Sequence, residues 1–87
     1  MYVIAVYDIT KNKSSKMLKL LRRYLNWIQG SVFEGEISEG NYIEMTQNIR
    51  NNINRNSDSV ILFKMWGEQY RIREVIGIEK NKVSNVL

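Results

Sequence analysis

The chain has no cysteine, no histidine and no proline among its 87 residues. Without cysteine, neither a disulfide framework nor a thiolate metal site can staple the fold, and the absence fits a reducing compartment. Without histidine there is no general base of ordinary pKa near neutrality, no Ser-His or Cys-His nucleophile pair, and none of the commonest transition-metal ligand. Any chemistry has to run on carboxylates, a metal-bound water, Tyr, Lys or Arg. With no proline, no Gly/Ser linker and no internal repeat, nothing divides the chain, and a single domain over residues 1–87 is expected. No apolar stretch approaches the ~20 residues of a membrane span. The N-terminus lacks the basic start and small-residue cleavage site of a signal peptide, so a soluble, unprocessed cytoplasmic protein with no membrane partner is expected. A Gly-rich phosphate loop and zinc-ligand spacing are also missing, which excludes nucleotide hydrolysis of the P-loop kind.

What is present begins with an apolar run that ends on an acid. Residues 2 to 7 place Tyr2, Ile4 and Val6 on one face and Val3, Ala5 and Tyr7 on the other, the pattern of a central strand covered on both sides, and Asp8 follows at once. Residues 13 to 25 set Met17, Leu18, Leu21, Tyr24 and Leu25 at helical spacing, with Lys13, Lys16, Lys19, Arg22 and Arg23 around the rest of the circumference. Residues 27 to 36 carry aromatic and β-branched residues and read as a second strand, in which Gly30 and Gly35 permit a bulge or a close backbone approach. Ser38 is the expected N-cap of a second helix with Glu39 in its first turn, burying Tyr42, Met45, Ile49 and Ile53. Residues 59 to 66 form a third core strand. The tail from Gly67 to Leu87 is too apolar for disorder and is expected to supply one or two further strands on a sheet edge. The whole reads as an α+β, ferredoxin-like βαββαβ sandwich with an antiparallel sheet, helices on one face and the other face left for a dimer partner. A chain this short buries only about 60 to 65% of its unfolded surface and gains from such pairing.

Asp8 is the residue that most needs explaining. Held by a strand end, it either caps the following turn or offers an oxygen to a hard cation such as Mg²⁺. One carboxylate is too few for such a site, and a two-fold dimer would bring two copies together. The net charge of +4 and the basic face of the first helix favour a polyanionic partner, since each Lys or Arg placed on a phosphate releases condensed counterions. The plain alternative is a solvated helix face.

The run YVIAVYDIT, the basic helix, the SVFEG block from Ser31 to Gly35, the helix capped after Ser38 and the apolar strand at Val60 to Met65 together resemble the CRISPR-associated Cas-two family. This small protein partners the CRISPR integrase in spacer acquisition. The resemblance implies a ferredoxin-like homodimer whose two Asp8 side chains face each other and bind Mg²⁺, with Mn²⁺ as a substitute. It implies a metal-dependent endonuclease on RNA or DNA, or a non-catalytic scaffold that holds duplex DNA for the integrase. Carried over by position, Asp8 is the catalytic metal ligand, while Tyr7, Ser31 and Phe33 shape the cleft and dimer contact. Lys11, Lys13, Lys16, Lys19 and Arg23 are the expected nucleic-acid contacts, to duplex DNA or single-stranded RNA. Many relatives carry an Arg-rich loop where this chain has Lys11, Lys13 and Lys16, and an Arg roughly where it has Trp27. Lys is a point charge and lacks the fork of donors with which Arg bridges a phosphate. The C-terminal tail from Ile72 to Leu87 is expected to exchange with, or add to, the partner subunit at the dimer interface. A toxin-type RNA endonuclease of the related VapD group, which shares the fold and the strand-end Asp, is the remaining alternative.

Overall fold

The computed structural model describes residues 1–68 and 70–79, residue 70 by its backbone alone. The elements run β1 (Tyr2–Asp8), α1 (Lys11–Arg22), β2 (Asn26–Gln29), β3 (Val32–Glu36), α2 (Glu39–Asn51), β4 (Ser59–Trp66) and β5 (Tyr70–Gly77). One antiparallel sheet has the order β2-β3-β1-β4-β5, so the apolar N-terminal run lies at its centre. The first six elements give the βαββαβ order, and β5 is the extra C-terminal strand. Its described residues add to β4 of the same chain, from Ser59↔Gly77 to Trp66↔Tyr70. The expectation placed on Val83, Val86 and Leu87 lies outside the described residues.

Residues 27 to 36 form a hairpin and not the single strand expected. Gln29 pairs with Val32 across a two-residue turn in which Gly30 has a φ of 49°, a left-handed value that any Cβ would oppose. The Trp27 indole donates to the Gly30 carbonyl at 2.9 Å and braces the turn. The ladder shifts register between Trp27 and Gln29, so the irregularity falls at Ile28 and at neither glycine. Helix α1 starts at Lys11, two residues before the periodicity suggests, because its polar first turn carries no apolar signal. Helix α2 starts as expected, with the Ser38 hydroxyl accepting from the Asn41 amide at 3.1 Å.

Alternation along β1 decides the layers. Val3, Ala5 and Tyr7 are buried with Phe33, Val60, Leu62 and Ile76 beneath Met17, Leu20 and Leu21 of α1 and Tyr42, Met45 and Ile49 of α2. Tyr2, Ile4, Val6 and Asp8 point to the other face, on which no described helix packs. Cross-strand pairing sets Ile4 beside Phe63 and Val6 beside Ile61 and Val32. This open face is therefore apolar at its centre, with Glu34 and Glu36 on one flank and Arg71 and Arg73 on the other.

Candidate active site and nucleic-acid interface

Asp8 is the last residue of the central strand, opposite Ser59 in the ladder, and its side chain is exposed on the open-face side. The segment that follows is clamped by a second acid that the sequence pattern does not single out. Asp58 is fully buried, and its two oxygens accept from the Thr10 amide at 3.2 Å and the Asn54 amide at 2.8 Å. The Lys13 ammonium stands 3.8 Å from the same carboxylate. A buried charge is tolerated only when paired and hydrogen-bonded, and these contacts supply both conditions. Asp8 is thus fixed on one side by the ladder and on the other by Thr10, two residues on. The chain signals Asp58 only weakly: an acid directly before an apolar strand, mirroring the acid directly after the apolar run of β1. Antiparallel pairing of β1 with β4 brings both acids to one end of the sheet.

The other expected site residues separate into groups. The Tyr7 and Phe33 rings lie in the core with centroids 6.3 Å apart, on the helical side of the sheet and so on the face opposite Asp8. They pack beneath the strand that carries Asp8 and are not beside its side chain. Ser31 sits in the hairpin turn, and its carbonyl accepts from the Tyr7 amide at 3.1 Å, tying the SVFEG block to the strand that carries Asp8. Lys13 is committed to Asp58, and Lys11 is exposed at the start of α1. Lys16, Lys19 and Arg23 share one wall of a groove between α1 and α2.

Asp8 offers the hard oxygen that Mg²⁺ or Mn²⁺ prefers. Asp58 is not available in that way, because backbone amides and Lys13 occupy its oxygens. Among the described residues, no group of three or more His, Cys, Asp or Glu side chains gathers to hold a metal. Among the described residues, one chain therefore brings a single exposed carboxylate to this place, and two copies of it would suit a hard divalent ion better than one. Among the described residues, no helix is long and apolar enough to cross a membrane.

Known proteins resemble this chain over most or all of its length. The family model for CRISPR associated protein Cas2 matches residues 1–73. The CRISPR-associated endoribonuclease Cas2 of Dictyoglomus turgidum is 45% identical over 100% of both chains, and that of Pyrococcus furiosus 39% identical over 100% of both. A crystal structure of Cas2 aligns with a TM-score of 0.74 and 34% identity, covering 100% of this chain and 98% of that one. The structure of Streptococcus pyogenes Cas2 at pH 6.5 aligns with a TM-score of 0.70 over 76% of this chain and 87% of that one, and at 21% identity it speaks for the fold alone. With a family match that takes in both the Asp8 strand end and the SVFEG hairpin, and full-length relatives on either side of 40% identity, the chain belongs to the CRISPR-associated Cas2 family.

Proposed function

We propose that the protein is a metal-dependent endonuclease of CRISPR adaptation, a homodimer in which two copies of Asp8 hold one Mg²⁺ and which works beside the CRISPR integrase in the cytoplasm. The observation that carries this reading is the placement of Asp8: exposed at the end of the central strand, fixed on both sides, and at the rim of an apolar face that no described helix packs against. When bound, the ion would polarise a phosphoryl oxygen and lower the pKa of its water, supplying a nucleophile in a chain that has no histidine base. The residues themselves do three things. Asp8 supplies a carboxylate oxygen, Asp58 keeps the Asp8-to-Thr10 segment from drifting, and the cations of α1 hold the phosphate backbone. The name endoribonuclease carried by the relatives from Dictyoglomus and Pyrococcus supports single-stranded RNA as the substrate to try first, with duplex DNA beside it.

The test is cleavage by wild type and Asp8→Asn in Mg²⁺, in Mn²⁺ and in EDTA. Metal-dependent cleavage by wild type and none by the variant is expected. Full cleavage by Asp8→Asn would remove the mechanism.

One observation favours a second reading, in which the dimer is a scaffold that holds duplex DNA for the integrase and cleaves nothing. Lys16, Lys19 and Arg23 form no ion pair with a described carboxylate, so the basic face is available to a polyanion wherever Asp8 sits. On that reading, Asp8→Asn retains spacer acquisition in cells and charge reversal on α1 abolishes it.

A further inference from the structure

The groove between α1 and α2 lies on the helical side of the sheet, away from the open face and from Asp8. It has a volume of about 240 Å³ and is lined by Lys16, Lys19, Leu20 and Arg23 of the first helical segment and by Asn48 and Asn52 of the second. We infer that this groove is a seat for consecutive backbone phosphates of one nucleic-acid strand. The inference rests on the nucleic-acid reading above and adds where the strand runs.

Spacing is the first argument. Positions 16, 19 and 23 recur at helical intervals, so their side chains rise along one wall over about 10 Å. At about 3.4 Å of rise per phosphate on one strand, that is the length of three phosphate steps.

The composition of the facing wall is the second. Two helices packed with cations on one side ordinarily gain from carboxylates on the other. Here α2 presents amides at Asn48 and Asn52, and no described carboxylate pairs with Lys16, Lys19 or Arg23, of which Arg23 lies over the Tyr24 ring at 5.4 Å. Three other cations are answered by carboxylates, Lys13 by Asp58 and Arg50 and Lys64 by Glu74, while Arg22 lies over the Trp27 ring at 5.3 Å. Glu44, near the end of the groove, already accepts from the Tyr24 hydroxyl at 2.8 Å. The negative end of the α1 dipole accounts for a basic last turn, but not for Lys16 or for the choice of amides on α2.

Donor capacity is the third. Asn48 donates one amide hydrogen to Tyr24 at 2.9 Å and Asn52 one to the Asn48 carbonyl at 2.7 Å, which leaves each amide a second hydrogen for an acceptor oxygen. Among the described residues no aromatic ring lines the groove, so the ligand it suits is the sugar-phosphate backbone read without regard to sequence.

The experiment is fluorescence anisotropy of the full chain with labelled duplex DNA and, separately, single-stranded RNA, titrated across a range of salt. The triple variant Lys16→Ala/Lys19→Ala/Arg23→Ala is expected to bind at least tenfold more weakly at low salt. Its slope of log affinity against log salt on duplex should fall by about 2 to 3, close to 0.9 for each phosphate no longer neutralised. Lys19→Glu alone should weaken binding, and Arg55→Ala, an exposed loop cation outside the groove, should not. Wild-type slope and affinity in the triple variant would overturn the groove and leave the nucleic-acid reading standing. A loss per charge equal to that of Arg55→Ala would also overturn it, since net charge alone would then explain the effect. Failure of wild type to bind either nucleic acid would bring down both.

Discussion

Asp8 and Asp58 stand at the same end of the sheet, and what surrounds each one separates their tasks. Asp8 is exposed at a strand end, on the face that no described helix covers. Asp58 is enclosed, and each of its oxygens accepts from a backbone amide of a loop that would otherwise be loose. Removing it leaves the Thr10 and Asn54 amides without acceptors and the Lys13 charge without its partner. Asp58→Ala is therefore expected to cost about 3 kcal/mol, at the upper end for a buried charged acceptor, read as a lower midpoint in urea unfolding. Asp8→Asn, which keeps the side chain's shape at an exposed position, should lower that midpoint by less than Asp58→Ala does. If the two variants lose stability equally, Asp58 is not the clamp described. Asp8 was legible in the sequence because an apolar run stops on it. Asp58 was not, because its role depends on two amides, Thr10 lying 48 residues away in the chain, that only the folded sheet brings near.

At the scale of elements, β5 is held by a polar pin and a glycine. The Tyr42 hydroxyl of α2 donates to Glu74 of β5 at 2.5 Å, and the Lys64 ammonium of β4 stands 3.4 Å from the same carboxylate and 4.7 Å from the Tyr42 ring. Burial and then the bond to Glu74 push the Tyr42 hydroxyl pKa up from its ordinary 10.0, while that bond, opposed by burial and helped by Lys64, draws Glu74 below its ordinary 4.5. A raised Tyr contributes stability in full below pH 10.0 and loses it as pH climbs towards its folded value. A depressed Glu contributes above pH 4.5 and loses it as pH falls through its folded value. The pin therefore holds between those limits. Tyr42→Phe should lower stability by about 1.5 to 3 kcal/mol at neutral pH and flatten the fall in stability below pH 4.5, measured by thermal unfolding against pH. At the far end of β5, Gly77 has a φ of 92°, and a Cβ there would stand 2.1 Å from the Asp58 carbonyl oxygen, so Gly77→Ala is expected to cost more than about 3 kcal/mol. Periodicity located both helices, because each buries one clear face, and continuous apolar runs located the central strand and β4. It merged β2 with β3, because the residues on both sides of the turn favour strands equally and the break rests on the backbone of Gly30. The fold class survived this error, since the hairpin supplies the two middle strands of the βαββαβ order and the tail supplies the fifth.

At the scale of the whole molecule, the sheet divides two kinds of surface. On the helical side lies the basic groove, whose cations pair with no described carboxylate; on the other lie Ile4, Val6, Ile61 and Phe63, with carboxylates on one flank and guanidinium groups on the other. Two-fold stacking of the second surface on a copy of itself can set Glu34 and Glu36 of one chain against Arg71 and Arg73 of the other, a self-complementary arrangement of the kind a two-fold axis requires. It would leave both basic grooves facing outwards, where a nucleic acid can reach them. Phe63 is 37% exposed in the single chain and pairs with Ile4, so Phe63→Lys places a charge in the middle of that contact with little cost to the fold beneath. The variant is expected to sediment as a monomer where wild type sediments as a dimer, with an unchanged circular dichroism spectrum. The same monomer also tests the shared ion, because it retains Asp8 and every groove cation. If one chain brings only one carboxylate, it should lose metal-dependent cleavage as completely as Asp8→Asn does, while keeping the weaker, one-groove binding of nucleic acid. Cleavage that persists in a proven monomer would mean that Asp8 does not need its second copy.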